Sequence, residues 1–335
     1  IKCRLMLILF YLYEKDVPAI DLKFILRPFL FRIENHDFET IKRDWEFIQN
    51  KVKLGKAHEL SEGDTFYLGA TRKGEGGKDE ALRQQPNSPI KAKSRAFAFK
   101  QKYVNVLIAG HLEGAGSLLE DARMSIEQAT QRRFNRFIGQ SVEKISESIG
   151  YQKSGPNHKG FLYDLSKRIL GNGAESVLEL EKADIQIKTV RLTKAGKPRE
   201  HMSFPAFDLL EITEEEWEDS NFFERLEKKF LFVVFQEAED GIERLLLVAY
   251  WNMPYEDRIE AQRVWEETRR RVSLEQLPLP AASESRVSHV RPKGQNKQDT
   301  QLMPSGSSWV KQCFWLNSAY VGSVIREIRD QKDPA

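Results

Sequence analysis

The chain repeats one strand–helix pattern at two distant places, and this repetition constrains its fold more than any other feature. Residues 29–52 run from an apolar strand through a polar turn into an amphipathic helix, with Trp45 on the predicted inner face. Residues 248–272 follow the same course around Trp265, 220 positions later. An apolar stripe at helical spacing predicts a helix that packs on a core.

A second pair of segments keeps nearly the same spacing. The sequence FAFKQKYVNVLI at residues 97–108 is echoed by CFWLNSAYVGSVI at residues 313–325, and Tyr103 and Tyr320 are 217 positions apart. Two unrelated strand–helix units would have no reason to keep this offset. The agreement between the two spacings therefore predicts a duplicated domain.

The two copies are expected to differ in completeness. The second copy carries about 100 residues, 132–232, ahead of the shared part, and nothing that matches them fits ahead of Ile1. We therefore predict three regions. They are the C-terminal lobe of an incomplete first domain (residues 1–110), a linker (residues 111–131) and a second domain (residues 132–335).

The charges of the chain are unevenly distributed. The formal net charge is only +2, yet residues 71–102 contain nine Lys or Arg against three acids, and residues 208–224 contain eight acids and no base. A concentrated basic segment is typical of a surface that binds a polyanion, and also of a solvated loop. Charge alone leaves both interpretations open.

Other totals exclude several classes of protein. The longest apolar run near an end, residues 5–13, is too short to span a bilayer, so we predict a buried strand there and no membrane partner. Cys3 and Cys313 have neither zinc-site spacing nor partners for a disulfide framework. Their scarcity favours the reducing cytoplasm.

One strand carries the pattern of a metal-dependent nuclease. In ADIQIKTVRL, residues 183–192, Gln186 and Lys188 are two positions apart, and such residues face the same side of a strand. Glu179 precedes Gln186 by seven residues, and Glu143 lies on an earlier predicted helix. Phosphodiester cleavage uses carboxylates that converge on divalent ions, with a cation beside the attacked phosphate. A triplet of this kind also occurs on ordinary exposed strands.

The order of several motifs resembles the MutH family, which comprises the mismatch-repair nicking endonuclease and tandem-duplicated restriction enzymes that cut at GATC. The segments that carry the resemblance are IGQSVEKI (138–145), DIQIKTVRLTKAGKPREHMSF (184–204), VWEETRRRV (264–272), VRPKGQNK (290–297) and, in the first copy, residues 44–74 and 97–108. The resemblance implies an α/β fold of the restriction-endonuclease type, with a mixed sheet flanked by helices and duplicated in tandem.

By this resemblance, Glu143, Glu179, Gln186 and Lys188 occupy the catalytic positions of the second copy. Glu179 replaces the family's aspartate, and Gln186 replaces a glutamate. A neutral amide is a poorer ligand for a hard cation such as Mg²⁺, and it lowers the negative charge that attracts the ion. We therefore predict a degenerate centre in which Glu179 is at most a weak metal ligand and no Mg²⁺ binds tightly.

The resemblance also implies residues that contact DNA. The VRPKG loop corresponds to the family's loop that enters the major groove, where Arg and Lys donate to guanine O6 and N7. The base-reading candidates of the second copy are Arg291 and Lys293, on a loop stiffened by Pro292. The first copy offers Arg72 and Lys73 at the same place. Candidates for phosphate contacts are Lys78, Lys297 and, on one side of a predicted strand, Lys100 and Lys102.

The predicted function is GATC-specific binding of double-stranded DNA within a type II restriction endonuclease. A cutting copy and a reading copy in one chain imply two DNA sites bound at once, with the second site activating the first. The cutting half of the first copy would lie upstream of Ile1. Three alternatives stay open: a DNA-binding module without catalysis, a decayed mismatch-repair nicking endonuclease, and an active nuclease in which Gln186 suffices.

Overall fold

The computed structural model describes residues 5–9, 18, 29–33, 35–73, 82–109, 119, 124–151, 160–174, 177–293, 296 and 298–332. The sequence repeat divides its elements into two units. The first unit contains β1 (Met6–Ile8), β2 (Phe29–Phe31), α1 (Asn35–Lys53), β3 (Leu68–Arg72), β4 (Leu82–Gln85), β5 (Ser88–Lys93), β6 (Arg95–Phe99) and α2 (Gln101–Ile108).

The second unit is larger and mixes helices with strands. It begins with α3 (Ile126–Asn135), α4 (Val142–Ser148), α5 (Phe161–Leu170), α6 (Leu178–Ala183), β7 (Gln186–Leu192), β8 (Met202–Phe207), α7 (Glu211–Glu214) and α8 (Asn221–Glu227). It continues with β9 (Phe230–Glu237), β10 (Glu243–Trp251), α9 (Tyr255–Ser273), β11 (Ser288–Pro292), β12 (Thr300–Leu302), β13 (Ser308–Val310), β14 (Gln312–Leu316) and α10 (Ser318–Lys332).

The centre of the second unit is a three-stranded sheet in the order β10-β9-β7. Strand β9 pairs with β10 antiparallel and with β7 parallel. Its first six residues, FLFVVF, are all apolar and all buried. A continuous apolar run is typical of a strand covered on both faces. The central sheet is therefore a layer between two hydrophobic cores.

The two cores follow from the alternation of side chains along β9. Phe230, Phe232 and Val234 enter one core, together with α9, α10 and the antiparallel sheet β11-β14-β8, and we call this the Trp265 core. Leu231, Val233 and Phe235 enter the opposite one, together with α3, α4, α5 and α6, and we call this the Tyr67 core.

The strand pairs of the two units have the same register. Strand β3 pairs with β6 from Leu68–Phe99 to Arg72–Arg95, and β11 pairs with β14 from Ser288–Leu316 to Pro292–Gln312. These positions match at the sequence offsets of 220 and 217. Each pair is followed by a helix, α2 or α10. The predicted mixed α/β architecture with a tandem duplication is therefore confirmed.

A buried hydrogen bond is also repeated. Tyr103 of α2 donates its hydroxyl to Asp37 of α1 at 3.0 Å, and Tyr320 of α10 donates to Asp257 of α9 at 2.7 Å. The helices α1 and α9 are both 19 residues long. The bond therefore fixes the C-terminal helix against the long helix in both units.

The prediction that Trp45 faces a core is wrong. Trp45 is 47% exposed, whereas Trp265 at the matching position is 2% exposed. The ring of Trp217 lies 5.7 Å from that of Trp265 and helps to cover it. The described residues place no comparable cover over Trp45. Helix α1 instead turns Ile41 and Ile48 inward.

The two units share a core. Phe31, Ile41, Phe66 and Tyr103 of the first unit lie in the Tyr67 core, among side chains of the second unit. The units are thus packed against each other, and the boundary at residues 111–131 stays a prediction. No helix of the described residues has the length and apolar character needed to cross a membrane.

Candidate nucleic-acid interface and metal centre

Strand β7 presents the two central candidate residues to one face of the central sheet. Val190 and Leu192 of β7 belong to the Trp265 core, whereas Ile187 packs against the Tyr67 core. By alternation, Gln186 and Lys188 face the Trp265 core, on the same side of the strand as predicted. The Nζ atom of Lys188 lies 5.2 Å from the ring centre of Phe204 in that core.

The surroundings of Gln186 and Lys188 contain cations. The Gln186 side chain donates Nε2–H to the carbonyl of Arg225 on α8, at 3.5 Å. Burial and, to a smaller extent, the nearby charges of Arg225 and Lys293 together lower the pKa of Lys188 to about 8. Within the described part of the chain, no carboxylate lies within ion-pair distance of Lys188.

Glu179 and Glu143 lie on the other side of the sheet. Glu179 is a buried residue of α6, a helix of the Tyr67 core, and its Oε1 accepts the backbone N–H of Leu119 at 3.2 Å. Glu143 is exposed on α4, whose Ile145 enters the same core. The structure therefore brings Gln186 and Lys188 together and separates them from both glutamates.

The residues at this centre do not fit a Mg²⁺ ion. Among the described residues, no group of three or more His, Cys, Asp and Glu side chains could hold a metal. Mg²⁺ prefers an octahedral set of oxygen ligands that includes carboxylates. Among the described residues, this centre offers the amide oxygen of Gln186 together with the positive charges of Lys188, Arg225 and Lys293.

The two base-reading candidates of the second unit lie in different surroundings. Arg291 and Pro292 are exposed at the end of β11, and the Arg291 guanidinium lies 5.8 Å from the ring centre of Trp315. Lys293 instead turns towards β8, where its Nζ donates to Ser203 Oγ at 3.3 Å and to the carbonyl of Phe204. Both side chains are exposed, but the Lys293 ammonium is hydrogen-bonded to the protein, whereas Arg291 has no described hydrogen bond or ion pair.

Arg72 of the first unit is held by the second unit. Its guanidinium lies 3.4 Å from Glu218 and 3.5 Å from Glu227, and it stacks over Phe223 at 4.5 Å. Lys93 pairs with the same Glu218. The neighbouring Lys73 is exposed. The acidic region of the second unit therefore neutralises part of the basic segment noted in the sequence.

The remaining lysine candidates differ in their location and burial. Lys100 and Lys102 were predicted on one side of a strand, and this is wrong: Lys102 lies on α2, and Lys100 is buried and donates to the carbonyl of Thr65 at 2.7 Å. Burial lowers the pKa of Lys100 to about 8. Lys78 and Lys297 lie outside the described residues.

Sequence reasoning missed two residues that the structure makes prominent. Arg225 directly follows the acidic stretch 208–224, so the local charge pattern did not indicate a cationic site there. Lys182 of α6 forms a buried ion pair with Asp37 of the first unit at 2.8 Å. The sequence does mark the partner of Lys182, because Asp37 matches Asp257 at the repeat offset of 220.

Comparison with known proteins gives the class of this chain, the DNA endonucleases related to MutH. The family described as "MutH: DNA mismatch repair enzyme MutH" matches residues 170–262, which include β7, β9 and β10. The type II restriction enzyme Sau3AI of Staphylococcus aureus is 32% identical over 382 residues, which cover 95% of this chain and 76% of that enzyme. The chain belongs to the MutH-like family of type II restriction endonucleases.

Proposed function

We propose that this chain binds double-stranded DNA at GATC, and that its second unit reads one site without cutting it. The observation that carries the proposal is the exposed Arg291 beside a centre that does not fit a metal. Family membership supports sequence-specific DNA binding within a restriction enzyme. The GATC assignment is supported by the resemblance of the VRPKG loop.

Arg291 suits base reading because of its chemistry and position. A guanidinium can donate to guanine O6 and N7 at once, and an arginine needs to be free of carboxylates to do so. Within the described part of the chain, no carboxylate lies within ion-pair distance of Arg291. The adjacent Pro292 limits the motion of the loop.

The contact between the units supports an effector role for the second unit. Arg72 at the end of β3 is bound by Glu218, which precedes α8, and by Glu227, the last residue of α8. DNA bound by the second unit would change the potential around these carboxylates and so the freedom of Arg72. Two DNA sites occupied at once, coupled through this contact, are part of the proposal.

In this proposal, DNA is hydrolysed in the cytoplasm by a different centre, one that has a full set of carboxylates and binds Mg²⁺. A DNA-binding module without catalysis is the second candidate. It is favoured by the same observation, that the described residues place no set of metal ligands around Gln186 and Lys188.

Replacing Arg291 by alanine tests the reading role. We expect Arg291→Ala to cost roughly 1–3 kcal/mol of binding free energy on a GATC duplex and little on a scrambled duplex. Fluorescence anisotropy with both duplexes at two salt concentrations measures this difference. Arg263→Ala, which removes an exposed arginine of α9, is the matched control.

A different result would assign Arg291 to the DNA backbone. Equal losses on both duplexes, with a salt dependence shallower by about one unit of slope, are expected of a residue that only neutralises phosphate. That outcome would contradict base reading by Arg291 and remove the main support for GATC.

A further inference from the structure

Three cations lie near Gln186, the residue that the family resemblance places at a metal-ligand position. Lys188 comes from β7, Arg225 from α8 and Lys293 from the segment after β11, and we call them the cation cluster. The charges of Arg225 and Lys293 both act on Lys188, and the Lys293 ammonium donates to the carbonyl of Phe204, whose ring lies 5.2 Å from Lys188 Nζ. Three distant parts of the sequence thus converge on one place.

The acids around the cation cluster are committed to other partners. Asp184 and Glu224 each pair with Lys228 at 2.8 Å, and Glu227 pairs with Arg258 and Arg72. Within the described residues, none of the three cations has a carboxylate within ion-pair distance. The positive charge of the cluster is therefore not balanced by the described protein.

Placing positive charges close together without acidic partners costs free energy unless an anion binds to them. Lys188 is largely withdrawn from water between the rings of Phe204 and Phe230, at 5.2 and 5.9 Å, and like charges repel it. A partly desolvated charge is stable when it is paired and hydrogen-bonded. An arginine and lysines that converge without acids are the donors that proteins use for phosphate.

We propose that the cation cluster is a metal-free phosphate site, which holds a backbone phosphate of the duplex read by Arg291. The N–H groups of the cluster take the place of the divalent ion, and the neutral Gln186 is suited to this because a carboxylate there would repel the phosphate. Lys293 and Arg291 are two residues apart, so one bound duplex reaches both. The inference rests on the proposed DNA-binding function.

The experiment measures binding of the full chain to GATC and scrambled duplexes in EDTA, by anisotropy at two salt concentrations. We expect Lys188→Met and Arg225→Met each to weaken binding to both duplexes by about tenfold, and to make the salt slope shallower by about one. Gln186→Glu should also weaken binding in EDTA, and Mg²⁺ should not restore it above the parent. Lys144→Met, on α4 of the Tyr67 core side, is the control and should leave binding unchanged.

The variants separate this inference from the function on which it rests. Thermal unfolding should show Lys188→Met to be at least as stable as the parent, since it removes a partly buried cation without a described carboxylate partner. Unchanged affinity in both methionine variants, or tighter binding by Gln186→Glu with Mg²⁺, would overturn the phosphate site. A parent that binds both duplexes equally would overturn only the GATC assignment, and one that binds neither would overturn both.

Discussion

Trp265→Ala is expected to lower the free energy of unfolding by about 3–5 kcal/mol, because it removes a large and fully buried ring from the Trp265 core. Trp45→Ala, at the matching position of the other repeat, should change it by less than about 0.5 kcal/mol, since Trp45 is half exposed. Urea unfolding followed by circular dichroism measures both variants under the same conditions.

The pair of variants is its own control, because the residue type and the helix position are the same. A similarly large loss of unfolding free energy in both variants would mean that Trp45 is buried, as its place in the repeat alone predicts. Similar small losses would mean that the Trp265 core is more tolerant of a cavity than its packing indicates.

Asp37→Asn should also destabilise the protein strongly, by about 3–5 kcal/mol. The substitution leaves the ammonium of Lys182 buried at the contact between the units without its counter-charge. The matching substitution in the second unit, Asp257→Asn, should cost only about 1 kcal/mol, because its partner Arg286 is mostly exposed and can return to water. Urea unfolding again provides the measurement.

A double substitution distinguishes charge from packing at this contact. Asp37→Asn combined with Lys182→Met removes both charges and should recover most of the loss of Asp37→Asn alone. A double variant as unstable as the sum of the two single variants would show that the ion pair contributes by shape or hydrogen bonding to Tyr103, and not by charge compensation.

The repeat was the most informative part of the sequence for the fold. A constant offset survives in the backbone, so the register of β3 with β6 predicts that of β11 with β14. Side-chain environments were not predictable in the same way. Trp45 and Trp265 occupy matching backbone positions, yet only Trp265 is covered by Trp217, which comes from a segment about 50 residues away in the chain.

The candidate site was predicted in part. The alternation of a strand correctly placed Gln186 and Lys188 on one side of β7, because this is a local property of the backbone. The position of Glu179 depends on how α6 is rotated, and α6 is held by the pairing of Lys182 with Asp37 in the other unit. No local pattern reports such a contact.

The charged loops illustrate the same limit. Arg72, Lys293 and Arg291 were all predicted to contact DNA, and of these three only Arg291 is exposed without a described hydrogen bond or ion pair. Arg72 is bound by Glu218 and Glu227, and Lys293 by Ser203 and Phe204. These partners are from about 90 to about 155 residues away in the sequence, so only the folded structure identifies them.

The most direct test of a reading unit without catalysis is to incubate the full chain with end-labelled GATC and scrambled duplexes in Mg²⁺, and to measure binding and cleavage in the same samples. We expect a clear preference for GATC, and both strands of the bound duplex intact on a denaturing gel. Stoichiometric nicking at GATC would contradict the degenerate centre at Gln186. Equal binding of the two duplexes would contradict the reading role of the second unit.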